Sequence, residues 1–334
     1  MSMNKFKAII VNQEGENFTR NLQEIDLSFL KEDEVTVKVD YSSLNYKDGM
    51  ILKNGGRLVK DYPHIPGIDF SGTVEQSSDP KFKAGDKVIL TGWRVGEIYY
   101  GGYSQYAKVK SKFLVKTPEG ISNKDAMALG TAGFTALLCA FAIQARESIL
   151  LGDPIKDVLV TGATGGVGSV AVMALAKMGY KVTGVTGKKD KADFLKGLGA
   201  SEMIDRSEMD QESKPLEAAL WDGVVDTAGG KILSRALSQT RPNGVVAACG
   251  LASNYKLDTT VMPFIIRGVK LWGIDSVMCS SKRREFVWSQ AKDLIDFKIL
   301  HEATEVWSLE DLLQSSSKIL KGEISGRVVV DVNQ

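Results

Sequence analysis

One stretch of the chain combines residue types and spacing that can bind a phosphate: residues 158–168 read VLVTGATGGVG. An apolar, β-branched run ends in a glycine-rich turn, and the turn opens an apolar helix predicted over 169–178. Such a turn sets unpaired N–H groups and the positive end of a helix dipole against an anion. Gly165 and Gly168 take the second and third positions of the G-x-G-x-x-G/A dinucleotide fingerprint, and Ala163 takes the first. The turn predicts a dinucleotide site, although alone it is not specific.

The residues after the next strand indicate which dinucleotide binds. An acid about 20 residues beyond the glycines selects NAD through the ribose hydroxyls. Here residues 185–189 read VTGKK, so a hydroxyl, a glycine and two cations stand where the acid is expected. This favours NADP, with Arg206 either a second cation for the 2′-phosphate or an ordinary surface arginine. Asp190, the nearest acid, is predicted to cap the following helix.

A second polar group, residues 42–48 with the sequence SSLNYKD, offers acid–base chemistry. Tyr46 can donate a proton to a substrate or contact a coenzyme. A surface turn capped by Asn45 and Asp48 explains the same residues equally well. Because a redox coenzyme carries the difficult chemistry itself, the protein needs only to position the substrate and stabilise developing charge.

Metal and nucleophile sites are not predicted. The chain has only two histidines, His64 and His301, and its three cysteines, Cys139, Cys249 and Cys279, lack metal-site spacing. No Gly-x-Ser-x-Gly turn is present. His64 stands between prolines, where a structural role is expected. The cysteine usage fits a reducing compartment.

Length and composition limit the class of protein. A chain of 334 residues exceeds one compact core, so two domains are expected. A net charge of +1 gives no reason to expect a nucleic-acid or anionic-membrane partner. We recognise no window of about 18 apolar residues, so no membrane span is expected. Residues 1–11 show no signal-peptide pattern, and a cytoplasmic location is predicted.

Hydrophobic patterning divides the chain into two parts. The first has short strands and frequent turns, for example 7–11 and the alternating 34–40, which is typical of a small barrel-like β domain. From residue 157 onward strands and helices alternate, which predicts a parallel, doubly wound sheet with six strands. The tail after residue 276 has two helices and a last strand but no further βαβ unit. We therefore predict an α/β fold whose tail returns to the first domain.

Several motifs resemble the medium-chain dehydrogenase/reductase superfamily, and together they cover essentially the whole chain. They lie at 43–48 (SLNYKD), 65–72 (IPGIDFSG), 85–88 (GDKV), 130–136 (GTAGFTA) and 162–168. Further stretches are similar to one branch, the YhdH/YhfP-type quinone oxidoreductases and acrylyl-CoA reductases. These lie at 90–93, 247–251, 260–264 and 273–278.

The chain departs from the zinc-dependent members of this superfamily. They carry Gly-His-Glu where residues 67–69 read GID, and a metal-binding cysteine near the position of Asn45. Their four-cysteine structural lobe is also absent. The resemblance is therefore to the zinc-free reductases, with no metal ligand expected.

The resemblance implies a domain plan and a reaction. A Rossmann NADP-binding domain is expected over 123–271, and a discontinuous GroES-like, β-rich barrel domain that holds the substrate over 1–122 and 272–334. The implied reaction is zinc-independent hydride transfer from NADPH to an activated carbon–carbon double bond or to a quinone.

The resemblance also implies which residues contact the coenzyme. They are Tyr46, Thr164, Gly165, Gly166, Val167, Thr186, Gly187, Lys188, Arg206, Leu251, Ile265, Ser276 and Arg327. Tyr46 is in addition the candidate catalytic residue, with Tyr46 or water as the proton donor. Lys188 stands where the family pattern has arginine, so it binds phosphate as a point charge without a bidentate fork.

The sequence leaves the substrate open. Acrylyl-CoA needs a cationic site for the CoA phosphates, with the run 282–284 (KRR) or Lys53 with Arg57 as candidates. A quinone needs only an apolar slot lined by residues such as Tyr46, Trp93 and Phe264. A nucleotide-binding sensor with negligible turnover is the alternative from another class. A homodimer is expected, because the strand predicted at 270–275 would lie at a sheet edge.

Overall fold

The computed structural model describes residues 5–150 and 154–334, with the backbone alone for 147–150. The expectation that no signal peptide is present therefore falls partly outside the described residues. The chain divides into two compact units. The first comprises the chain up to Thr131, Ser276–Lys292 and Leu300–Gln334, and the second comprises Ala132–Asp275 and Asp293–Ile299.

Short strands, most of them in antiparallel pairs, dominate the first unit. They are β1 (Phe6–Glu14), β2 (Asn17–Ile25), β3 (Val35–Ser43), β4 (Asp69–Ser77), β5 (Lys87–Thr91), β6 (Tyr106–Val109) and β7 (Leu114–Lys116) before the second unit, then β14 (Thr304–Trp307) and β15 (Arg327–Asp331) after it. β1 pairs with β2, and a larger sheet has the order β14-β15-β3-β4-β5-β7, with β6 on β3. Val35, Val37 and Val39 are fully buried, as the alternating pattern predicts.

The second unit is a six-stranded parallel sheet. Its strands are β8 (Asp157–Thr161), β9 (Lys181–Thr186), β10 (Glu202–Asp205), β11 (Trp221–Asp226), β12 (Thr240–Ala248) and β13 (Lys270–Gly273). They lie in the order β10-β9-β8-β11-β12-β13, so β13 lies at an edge. Val158, Leu159 and Val160 are all fully buried, as expected for a sheet covered on both faces. The predicted α/β class and doubly wound sheet are confirmed.

Eleven helices are described along the chain. They are α1 (Tyr46–Asn54), α2 (Asn123–Leu150), α3 (Gly166–Lys177), α4 (Ala192–Gly197), α5 (Arg206–Met209), α6 (Gly230–Ser238), α7 (Met262–Arg267), α8 (Ser281–Leu294), α9 (Phe297–Glu302), α10 (Leu309–Ser315) and α11 (Ser317–Leu320). The sequence predicted one helix over 309–321, where the structure has α10 and α11. It did not predict the strands β2, β6, β7 and β14 or the helices α1, α5, α7 and α9.

The helix α2 corrects one expectation. A window of 18 residues within Asn123–Arg146 has a mean hydropathy of 1.9, so the sequence does contain an apolar stretch of membrane-spanning length. In the structure 94% of that window is buried, which is typical of a core helix. Gly130 interrupts the helix with φ 54° and ψ −157°, a conformation open essentially only to glycine.

Candidate active site

The glycine-rich turn between β8 and α3 forms a cradle above the N-terminus of the helix. Gly162 has φ +59°, and a Cβ there would lie 2.3 Å from Thr227 Oγ1. Gly165 directly precedes α3, and a Cβ there would meet only the carbonyl oxygen of Gly162, at 3.3 Å. Among the described residues, little therefore crowds Gly165, at the end of α3 where an anion would bind.

The third fingerprint glycine lets α3 pack closely against the turn. A Cβ on Gly168 would lie 2.2 Å from the carbonyl oxygen of Gly162 and 2.7 Å from the Cα atom of Ala163. Ala163 itself is fully buried, and its methyl group lies beside Gly184 of β9. An alanine in the first fingerprint position is therefore compatible with the cradle, whereas Gly162 and Gly168 have no room for a side chain.

Two threonines join the turn to the end of β9. The hydroxyls of Thr164 and Thr186 lie 2.9 Å apart, and the Thr186 hydroxyl also accepts a hydrogen bond from the Lys188 backbone N–H at 3.2 Å. Both threonines are buried. The two hydroxyls thus have fixed positions at the carboxyl ends of β8 and β9, where ligands of open α/β sheets bind.

Two cationic residues, Lys188 and Arg206, belong to the segments beside these hydroxyls. A Cβ on Gly187 would lie 3.4 Å from Cζ of Arg206, so the guanidinium packs directly over this glycine. Burial, and after it the charge of Lys191, lowers the pKa of Lys188. The third cation, Lys189, pairs with Asp205 at 3.1 Å. The Arg206 guanidinium thus lies beside the segment predicted to bind the 2′-phosphate, and its contact with that phosphate stays a prediction.

The predicted helix cap at Asp190 is wrong. Asp190 lies inside a short 3₁₀ turn, Lys189–Lys191, and its carboxylate lies 3.7 Å from the Lys191 ammonium. The residue before α4 is Lys191, which makes no side-chain cap. The 3₁₀ turn occupies Lys189–Lys191, so α4 begins at Ala192 and not directly after Asp190.

Two apolar residues predicted to contact the coenzyme are exposed in the second unit. Leu251 is 62% exposed and Ile265, on α7, is 74% exposed. Their exposure leaves both side chains accessible to a ligand, and their contact with the coenzyme stays a prediction.

In the first unit, α1 begins at a buried polar cluster. Tyr46 is its first residue and is 44% exposed. The Asp48 carboxylate accepts hydrogen bonds from the backbone N–H groups of Asn45 and Ile68, both at 3.0 Å. Asp48 therefore fixes the start of the helix and the backbone that carries Tyr46. Asn45 and Asp48 therefore cap this segment, as one of the two interpretations predicts. The Tyr46 side chain takes no part in the cap and is accessible to a ligand.

A second buried carboxylate, Asp69, completes the cluster. Its oxygens accept hydrogen bonds from the hydroxyl of Ser43, the amide of Asn45 and the backbone N–H of Thr131, at 2.8 to 3.0 Å. Within the described part of the chain, no three His, Cys, Asp or Glu side chains are placed to hold a metal ion. The Asn45 amide donates a hydrogen bond to the Asp69 carboxylate at 3.0 Å, so these two side chains satisfy each other.

Arg327 lies in the same cluster. It is 2% exposed, its Nε donates to the carbonyl of Ala128 at 2.9 Å, and its Nη2 donates to the Ser43 hydroxyl at 3.0 Å. Burial lowers the pKa of Arg327, and the charges of Asp69 and Asp48 oppose that shift. Arg327 thus balances two buried carboxylates, and its predicted contact with the coenzyme stays a prediction.

Ser276 and His64 both contact neighbouring residues of the first unit. The carbonyl of Ser276 accepts a hydrogen bond from Nη2 of Arg284, which is fully buried. His64 is also buried, and its ring meets Tyr100 edge-on with centroids 5.5 Å apart. Its backbone exchanges hydrogen bonds with Val11. The structural role expected for His64 agrees with these contacts.

The buried cluster makes stability depend on pH. Burial, and after it the charge of Asp69, raises the pKa of Asp48 to about 7 from an ordinary 3.8. A raised pKa favours the protonated folded state, so this stabilisation is complete in acid and is lost as the pH rises through about 7. Burial lowers the pKa of His64 to about 4 from an ordinary 6.5, so His64 opposes this loss: as the unfolded-state imidazole gives up its proton between pH 6.5 and pH 8, stability rises by about 0.4 kcal/mol.

We therefore expect the free energy of unfolding to fall by about 0.4 kcal/mol between pH 6.5 and pH 8, because ionisation of Asp48 removes about 0.8 kcal/mol and His64 restores about half of it. Urea denaturation at the two pH values measures this change. In Asp48→Asn the fall should give way to a small rise, because no carboxyl remains to ionise and the contribution of His64 persists. An undiminished fall in that variant would assign the effect to another group.

Sequence reasoning named Asp48 only as a cap and passed over Asp69 and Ser43. Both of the latter lie inside motifs that it had singled out, at 65–72 and 43–48. The sequence did contain one signal for Asp69: it follows the mostly apolar segment IPGI at residues 65–68, where a carboxylate is expected to be buried. Nothing local in the sequence shows that residues 43, 69 and 327 meet.

Comparisons with known proteins agree with this geometry. Residues 31–119 match the family model "Alcohol dehydrogenase GroES-like domain", and residues 166–294 match "Zinc-binding dehydrogenase". The chain is 48% identical over 331 residues to the acrylyl-CoA reductase AcuI of Ruegeria pomeroyi, covering 98% of this chain and 99% of that protein.

Two crystal structures are similar over nearly the whole chain. The yhdH oxidoreductase from Salmonella enterica in complex with NADP is 43% identical with a TM-score of 0.93, covering 98% of this chain and 99% of that one. Bacillus subtilis yhfP with NAD bound is 41% identical with a TM-score of 0.92, covering 98% and 100%. The predicted resemblance is confirmed. The chain belongs to the medium-chain dehydrogenase/reductase superfamily, on its AcuI/YhdH/YhfP-type branch of zinc-free acrylyl-CoA and quinone oxidoreductases.

Proposed function

We propose that the protein is a zinc-independent, NADPH-dependent reductase that acts on an activated carbon–carbon double bond, as in an α,β-unsaturated CoA thioester, or on a quinone. The observation that carries this proposal is the set of groups at the ends of β8 and β9: an open helix N-terminus, two fixed hydroxyls and two cations. The acrylyl-CoA reductase relative and the NADP-bound relative support the same reaction.

The residues of the chain fit the coenzyme part by part. The first N–H groups of α3, after Gly165, would bind the pyrophosphate. Thr186, Lys188 and Arg206 would bind the 2′-phosphate, because a hydroxyl and two cations suit a dianion. Thr164, Gly166, Val167, Gly187, Leu251, Ile265, Ser276 and Arg327 stay proposed contacts. NADPH, when bound, supplies the hydride.

The first unit would supply the remaining chemistry. Hydride addition at the β-carbon of an unsaturated thioester leaves an enolate, which needs hydrogen-bond donors at its oxygen and a proton at its α-carbon. Tyr46 is the proposed proton donor, with water as the alternative. It is exposed at the start of α1, and Asp48 holds the backbone on which it stands.

Coenzyme selectivity tests the proposed phosphate site. We expect Lys188→Ala and Arg206→Ala each to weaken NADPH binding on the order of tenfold, since each removes a charged partner of the 2′-phosphate. Binding of NADH, which lacks that phosphate, should change by less than twofold. Fluorescence titration of both coenzymes measures this difference. A similar structure has NAD bound, so binding of both coenzymes is a fair comparison. Equal losses for NADPH and NADH would refute the assignment of Lys188 and Arg206 to the 2′-phosphate.

A homodimer in the cytoplasm is the proposed state of the protein. The edge strand β13 carries Leu271 and Trp272, each 37% exposed, which makes it suited to pairing with a second copy. The described cysteines form no disulfide, which fits a reducing compartment. Light scattering at micromolar concentration should give twice the mass of one chain, 36.3 kDa. A monomer mass would contradict the dimer.

A further inference from the structure

A surface pocket of the first unit lies beside the C-terminal half of α1. Its lining residues come from β2, α1 and the start of α11: Phe18, Arg20, Gly49, Lys53 and Ser317. Its volume is about 220 Å³. Pockets that enclose an entire drug-sized ligand measure roughly 300–1,000 Å³. This one suits one end of a longer molecule.

The pocket is positively charged. Nη1 of Arg20 donates to the carbonyl of Leu52 at 3.0 Å, which fixes the guanidinium against the end of α1. Lys53, in the last turn of that helix, is exposed. Within the described ranges neither cation forms an ion pair, and no acidic residue lines the pocket. Two cations without an acidic partner at one concave site are suited to an anion such as a phosphate.

The other lining residues suit a nucleotide. Phe18 and Arg20 stand two positions apart on β2 and therefore project from the same face of the strand. An aromatic ring beside cations is a common setting for a base and its phosphate. A Cβ on Gly49 would lie 2.5 Å from Cγ2 of Ile319, so the glycine allows α1 and the start of the last helix to approach and close the floor. Ser317 adds a hydroxyl at the rim.

The distance to Tyr46 fits the length of a CoA thioester. Tyr46 and Lys53 are the first and eighth residues of α1, so they lie about 10 Å apart along its axis. The pantetheine arm of CoA contains two amide units and is about as long as three to four extended residues, roughly 10–14 Å. A thioester placed near Tyr46 can therefore extend its nucleotide end to the pocket.

The other cationic run that the sequence offered is less suitable. Arg284, the last residue of 282–284, is fully buried, lies over the ring of Trp93 at 5.1 Å and donates to the hydroxyl of Thr91. It holds the interior of the first unit together. The run thus does not present three cations to a ligand.

We propose that the Arg20–Lys53 pocket binds the phosphorylated nucleotide end of a CoA thioester, which makes the substrate of the proposed reductase a CoA ester. This inference rests on the proposed function. The pocket gives a reason to prefer a CoA ester to a quinone as substrate, because a quinone has no nucleotide to bind there.

The test compares acrylyl-CoA with the acrylyl thioester of N-acetylcysteamine, which lacks the nucleotide. We expect Lys53→Glu to raise the ratio of the two KM values on the order of tenfold, because a repulsive charge replaces an attractive one. Arg20→Lys should raise the ratio less. Lys81→Ala removes an exposed lysine outside the pocket and should leave both KM values unchanged. Acrylyl-dephospho-CoA should show a smaller effect of Lys53→Glu than acrylyl-CoA.

Two results would overturn the inference. In the first, Lys53→Glu leaves the KM ratio unchanged. In the second, it raises both KM values equally, which would indicate a distortion of α1. Failure of the proposed function is seen separately, because the unmutated protein would then reduce neither thioester nor quinone with NADPH. In that case calorimetry with adenosine 3′,5′-bisphosphate still tests the pocket: binding that Lys53→Glu abolishes supports it, and no binding refutes it.

Discussion

Gly168→Ala is expected to weaken NADPH binding on the order of a hundredfold. The added methyl group would lie 2.2 Å from the carbonyl oxygen of Gly162 and 2.7 Å from the Cα atom of Ala163. Both atoms belong to the backbone and cannot rotate away, so α3 must shift off the turn. The shift misaligns the N–H groups that would bind the pyrophosphate, and each hydrogen bond to a charged group contributes about 1.5–3 kcal/mol. Overpacking of this kind also destabilises the fold by about 1–3 kcal/mol.

Gly197→Ala provides the matched control, because this glycine also lies in a helix of the second unit, α4. A Cβ there would meet nothing within 4 Å. The variant should bind NADPH normally and unfold at the same or slightly higher urea concentration, since alanine is favoured over glycine in helices. Coenzyme titration and urea denaturation of both variants measure the contrast. Normal binding by Gly168→Ala would show that the close approach of helix and turn is dispensable.

Arg327→Met is expected to lower the free energy of unfolding by about 3–5 kcal/mol, because it leaves buried carboxylates without their cation. Asp69 is fully buried and so is Asp48. The variant also removes the hydrogen bonds that Arg327 donates to Ala128 and to Ser43. Lysine is a poor replacement, because a single ammonium cannot donate to both the Ala128 carbonyl and the Ser43 hydroxyl as the guanidinium does. Urea denaturation at pH 8, where Asp48 is ionised, should show the largest loss.

A double variant separates charge balance from simple packing. Asp69→Asn removes one carboxylate but keeps an acceptor oxygen, so Arg327→Met combined with Asp69→Asn should recover part of the loss. Arg283→Ala, which removes an exposed arginine, should change the free energy of unfolding by less than about 0.5 kcal/mol. A loss as large in the double variant as in Arg327→Met would mean that Arg327 stabilises the unit by packing alone.

Local patterns predicted much of the fold. The alternation of strands and helices after residue 157 identified all six strands of the parallel sheet, because most of them contain a β-branched run and each is bounded by a turn or a helix. The alternation of Val35, Val37 and Val39 identified β3 for the same reason. The strand β2 was missed because its sequence, NFTRNLQEI, is mostly polar and exposed, and only its pairing with β1 stabilises it.

The candidate site was predictable only where its residues are adjacent in sequence. The cradle and the Thr186–Lys188 segment follow from glycine spacing and from cations at a strand end. The cluster of Asp48, Asp69 and Arg327 depends on three segments that only tertiary packing brings together. Its charge balance, and the cationic pocket between β2 and α1, are therefore visible in the structure alone.

Transfer of a label from the coenzyme tests the central claim most directly. The protein is mixed in ordinary water with acrylyl-CoA and with NADPH that is deuterated at C4 of the nicotinamide, using the two C4 epimers separately. The account predicts that one epimer yields propionyl-CoA with a single deuterium at its β-carbon and a solvent proton at its α-carbon, and that a strong zinc chelator does not slow the reaction. Absence of propionyl-CoA, or a product whose β-carbon lacks deuterium with both epimers, would contradict it.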